Sequence, residues 1–204
     1  MEFESADSSV LKSITQRVLL NAWRRASRKP DALPLLSDFR TEDTTDERAD
    51  MMGFEVVRHG DTERFLITQV GARLTAAYGN EHIDPAERIN RYLDDAIGAD
   101  RYARVVPPYR ACLAHKRPTY TVSAVQDADG KEVAYERLLL PFGRGDTVEQ
   151  LVGSCKAISI DGGFRLDNLM GTMPSAVPVV VISAVIDRAF APAPRPSAQD
   201  IELI

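Results

Sequence analysis

The chain has 204 residues, 44% of them hydrophobic and 27% charged, which supports a packed core and excludes wholesale disorder, a collagen or mucin repeat and a disulfide scaffold. At roughly 150 residues per domain this is one domain with extensions or two very small ones. Lys plus Arg number 25 against 30 for Asp plus Glu, a net charge of −5 with a pI near 5.3, which argues against a surface built for duplex nucleic acid or anionic lipid.

From Ser8 to Ala26 apolar residues recur at helical spacing: Leu11, Ile14, Val18 and Ala22, widened by Leu19 and Trp23. An amphipathic helix is expected there, N-capped by Ser8 or Ser9 and ended before Pro30. RKPDALPLLSDF reads as a loop pinned by Leu33, Leu35, Leu36 and Phe39, and TEDTTDERAD (41–50) as solvated. MMGFEVVRH and ERFLITQV are β-prone runs joined at Gly60, Asp61 and Thr62, a hairpin. GARLTAAYG is a short helix. IDPAERINRYLDDAIGAD is a second, opening at Asp84 with Pro85 in its first turn and closing at Gly98. RYARVVPPYRACLAHKRP is a third, broken at Pro107 and Pro108. Strands return with TYTVSAVQ and EVAYERLLLP, turning at Asp129 and Gly130, and with QLVGSCKAISI. Ala176–Ile186 is about half the roughly 20 residues a membrane helix needs and reads as a buried or interface segment; the tail APAPRPSAQ is Pro-rich. No internal repeat is visible.

These elements predict an α+β domain, with one antiparallel sheet and helices on one face. The order of two strands, short helices and three strands resembles that of a PAS domain. The stretches LLNAWRRASRKPDALPLLSDF, GFEVVRHGDTERFLITQVGARLTAAYGNE and YERLLLPFGRGDTVEQLVGSCKAIS resemble the compact PAS-like family of proteobacterial single-domain proteins. The resemblance implies a five-stranded antiparallel sheet with short helices on one face and an N-terminal amphipathic helix. The chain divides into a helix and pinned loop (1–50), a PAS-like core (51–160) and a C-terminal extension (161–204). It also implies a sensory or interaction module with a small cavity and no fixed ligand or cofactor.

Strand alternation gives each strand one apolar face: Phe54 with Val56, Phe65 with Ile67, Tyr120 with Val122, and Leu138 with Leu140. A ligand cavity is expected between these faces and Tyr92, Leu93 and Tyr109. The stripe Leu11, Ile14, Val18, Leu19, Ala22 and Trp23 is wider than one ridge requires, so homodimerisation through it is expected.

Other constellations have plainer readings. His59, His82 and His115 read as solvated rather than as haem ligands. Cys112, in YRACLAHK, lacks the flavin-photosensor motif and packs its helix. Neither it nor Cys155 has metal-ligand spacing, so both are expected as free thiols and no metal is expected. Arg24, Arg25 and Arg28 carry an R-x-x-x-R spacing suited to phosphate, yet they fit the basic last turn of a helix. GRGD and DGGF are turns, not phosphate loops. His59, Asp61, Tyr135 and Glu136 are the acid–base candidates for an alternative, a small α+β-cup enzyme. MEFESADSS lacks a secretory signal pattern, and no output motif follows the PAS-like region. The expected function is a cytoplasmic, non-enzymatic protein acting in trans through an unidentified regulatory partner, with a small-molecule ligand as modulator.

Overall fold

Alternation of apolar residues along long strands makes a sheet the spine of the molecule. The computed structural model describes residues 1–27, 32–41, 48–60, 62–77, 84, 87–126, 132–159 and 177–188. The strands are β1 (Glu4–Ala6), β2 (Met51–His59), β3 (Thr62–Val70), β4 (Thr119–Gln126), β5 (Glu132–Arg144), β6 (Thr147–Ser159) and β7 (Val179–Ile186). The helices are α1 (Ile14–Ala26), α2 (Ala72–Ala77), α3 (Leu93–Ile97), α4 (Ala99–Val105) and α5 (Pro107–His115), with 3₁₀ turns at Ser8–Val10 and Leu36–Asp38. Arg28, Asp61, His82, Pro85, the Asp129–Gly130 turn, DGGF and the Pro-rich tail lie outside the described residues.

The expected five-stranded antiparallel sheet is corrected to a seven-stranded mixed one, in the order β1-β7-β4-β5-β6-β2-β3. The five expected strands are there and pair antiparallel. β7 adds to β4, and β1 then pairs parallel with β7, Glu4 opposite Ala184. β5 and β6 turn through Gly145 and Asp146; Gly145 takes a positive φ of 57°, as a two-residue hairpin needs.

Helices on one face are also a correction, because both faces are covered. On one side α3 and α5 lie over Phe54, Val56, Phe65, Ile67, Leu139 and Leu151. On the other, α1 and the Phe39 loop cover Tyr120, Val122, Leu138, Leu140, Phe142 and Val152. Trp23 locks α1 down by donating its Nε1–H to the Pro141 carbonyl at 2.7 Å.

Two helices differ from expectation for local reasons. The first begins at Ile14, not Ser8, and is capped by Ser13, whose Oγ accepts from the Gln16 amide at 3.4 Å. Residues 88–92 are not helical: Ile67 N–H donates to Arg91 O at 2.9 Å and Asn90 N–H to Ile67 O at 2.8 Å. The β3 edge thus takes backbone groups that a helix would have used.

Candidate functional site

β-strand parity decides where the expected cavity residues fall. Phe54 stands opposite Leu151 in the register, while Leu140 stands opposite Val152. Leu151 and Val152 are successive residues of β6, so their neighbourhoods lie on opposite faces. The single expected cavity is therefore split. Phe54, Val56, Phe65, Ile67, Leu93 and Tyr109 share the core under the helices; Tyr120, Val122, Leu138 and Leu140 share the core under α1. Tyr92 is at the rim, half-buried, with the Arg64 guanidinium 3.8 Å from its ring centre. Under the helices, the Tyr109 ring fills the space between Phe54 and Phe65, with ring centres 5.2 and 5.1 Å away. Burial pushes its phenol far above the ordinary range, against an opposing pull from Arg137.

The residues of the expected association stripe mostly face inward. Leu11, Leu19, Ala22 and Trp23 are buried in the chain's own core, and Val18 is half-buried. Only Ile14, 78% exposed, faces away. Arg24 of the R-x-x-x-R spacing donates Nη2–H to the Asp187 carbonyl at 2.7 Å, which ties α1 to the end of β7.

Acid–base candidates do not converge. Tyr135 and Glu136 are successive residues of β5 and point to opposite faces. His59 is exposed at the far end of β2 and His115 is exposed at the end of α5. Glu136 is fully buried beneath α1, where its Oε2 accepts from the Ser13 amide at 3.0 Å. Beside it, Tyr120 accepts from the Lys12 amide at 3.2 Å. Burial first, and then Glu136, push the Tyr120 phenol upward. Gln16, also fully buried, donates to the Ser154 carbonyl at 3.0 Å. This polar set anchors the start of α1. Among the described residues no cluster of three or more His, Cys, Asp or Glu side chains could hold a metal ion. Cys112 and Cys155 are free thiols, and burial pushes the Cys112 thiol far upward.

A cleft of about 320 Å³ lies elsewhere, where the Leu36–Asp38 turn and Phe39 overhang β2, β3 and β6. Its floor includes Met51, Met52, Gly53 and Val152, and its rim includes Thr41, Thr68, Gln69 and Gln150. The floor is shaped by a β-bulge: Gly53 pairs with Gln69 and Phe54 with Ile67, leaving Thr68 as the extra residue. A Cβ on Gly53 would sit 2.8 Å from Thr68 Oγ1, so glycine is what lets the bulge close against β2. The overhanging loop is pinned at both ends. Gly143 N–H donates to the Pro34 carbonyl at 3.1 Å, and the Phe39 ring packs edge-on against Phe142 at 5.1 Å. Sequence reading found the pinned loop but not the cleft; a glycine inside an alternating strand, Gly53 in MMGFEVV, was the available signal.

No protein-family model matches the chain, and no curated protein matches it. Among the described residues, no helix is long and apolar enough to cross a membrane.

Proposed function

We propose that the chain is a non-enzymatic, cytoplasmic binding module that takes up a small amphipathic molecule in the Gly53 cleft and signals its occupancy through protein contact. The observation that carries this reading is the cleft itself. Its volume of about 320 Å³ falls within the range of small-molecule sites. Met51 in its floor adapts to varied shapes, and amides and hydroxyls at its rim orient a polar end. Leu36 at the tip of the overhang is already 37% exposed, so a ligand that lifts the turn alters an outward-facing surface. The separation of Glu136, Tyr135 and His59 supports binding over acid–base catalysis, and two free thiols suit a reducing compartment.

The test is thermal melting of the full chain against a panel of medium-chain and aromatic carboxylic acids, with Gln69→Trp as the comparison. Gln69 is exposed at the rim, so the tryptophan fills the cleft without entering the core. At least one acid should raise Tm in the parent protein and leave the variant unchanged. Stabilisation by none of them, or stabilisation that survives Gln69→Trp, overturns the reading.

A further inference from the structure

Gly53 leaves a bare patch inside the sheet, and that patch is the floor of the cleft. β2 lies between β6 and β3, and Gly53 pairs with Val152 on one side and Gln69 on the other. A glycine there shows its peptide where another residue would cover it, and Gly53 is half-exposed. Along β2 the neighbours on the same face are Met51 and Glu55, two residues away in each direction. The window framed by Met51, Glu55, Val152 and Gln69 thus measures roughly 13 Å along the strand and roughly 10 Å across it between Cα positions. The bulge keeps this window empty: a Cβ on Gly53 would lie 2.8 Å from Thr68 Oγ1 and 3.3 Å from Gln69 Cβ. Met51 and Val152 are buried beside it, and Phe39 overhangs it. Gln69 on β3 and Gln150 on β6 stand on its two flanks, and neither carboxamide has a hydrogen-bond partner among the described residues.

We propose that the cleft takes a planar aromatic acid, with its ring flat on the Gly53 peptide and its carboxylate accepting from the Gln69 or Gln150 amide. This rests on the cleft being the binding site and narrows what it accepts. A flat ring meets the bare floor over its whole face, whereas a puckered ring or an alkyl chain touches it only through alternate hydrogens. The Met51 thioether adds a sulfur–aromatic contact. Each carboxamide offers two N–H donors to a carboxylate.

Isothermal titration calorimetry of the full chain tests this with naphthoate against decalin carboxylate, the saturated acid on the same skeleton. The saturated acid is the more apolar, so burial alone would favour it. Stacking on the floor should instead make naphthoate bind about tenfold tighter. Gly53→Ala puts a methyl group in the floor and should remove that preference. Heteronuclear NMR of the parent chain keeps the test decisive if the variant does not fold: naphthoate should move the Gly53 protons upfield, as a ring face above them does, and the saturated acid should not. Equal affinity for the two acids, or naphthoate binding that leaves the Gly53 protons unmoved, overturns the proposal. Uptake of medium-chain acids with refusal of naphthoate overturns it too while the cleft remains a binding site; refusal of every acid overturns both readings.

Discussion

Glu136 sits where a carboxylate is least at home, with no solvent contact, one oxygen on the Ser13 amide and the other without a hydrogen-bond partner. Glu136→Gln keeps an acceptor for Ser13 and removes a buried charge, so its stability should stay within about 1 kcal/mol of the parent. Glu136→Ala leaves the Ser13 N–H unbonded and opens a void, and should lose about 2–4 kcal/mol. Urea unfolding midpoints of the two variants decide this; equal losses would show that the charge itself is needed. Trp23→Phe should cost about 1–2 kcal/mol by removing the bond to Pro141. None of these roles was legible in the sequence. Glu136 looked like a catalytic candidate because its position under α1 depends on Ser13, more than a hundred residues away.

At the scale of elements, α1 is a lid on its own sheet. Ile14→Asp should leave stability within about 0.5 kcal/mol of the parent and the native mass unaltered, whereas Leu19→Asp, which buries an unpaired charge, should unfold the protein. A change of native mass with Ile14→Asp, seen by sedimentation, would restore the stripe as an interface. Gly143→Ala is the matching test of the β5–β6 bulge. A Cβ there would fall 1.9 Å from the Thr147 carbonyl oxygen, so the hairpin must shift, at a cost of about 2 kcal/mol or more. The strands were legible because alternation is a local signal. The helix expected to open at Asp84 was not, because the β3 edge claims Asn90 and Arg91 through bonds that no local pattern records.

For the whole molecule, alkaline pH is the lever. Burial raises Tyr102, Tyr109, Tyr120 and Tyr135 above the ordinary phenol value of 10.0, and Cys112 above the ordinary thiol value of 9.0. The folded state therefore holds protons that the unfolded chain releases, so stability is whole below these ordinary values and is lost as the pH rises past them. Tm should fall steadily above about pH 9, and near-ultraviolet phenolate absorbance from the buried tyrosines should appear together with unfolding. Tyrosine ionisation complete before unfolding would contradict the burial described here. The seven-stranded sheet escaped sequence reading at one edge only. β1 is three residues in a polar run, ESA, and nothing near it announces a partner at Ala184. The cleft escaped for a similar reason, since the turn at Leu36 and the bulge at Thr68 become neighbours only in the folded chain.

The parallel pairing of β1 with β7 sets an order of assembly. Glu4 pairs with Ala184, which is synthesised 180 residues after it (184 minus 4). At roughly 5–20 residues per second this is a wait on the order of tens of seconds. Throughout much of that interval Leu19, Leu20 and Trp23 have no β4 or β5 to cover. The nascent chain thus exposes an apolar helix face while it is being made, the kind of surface that chaperones hold.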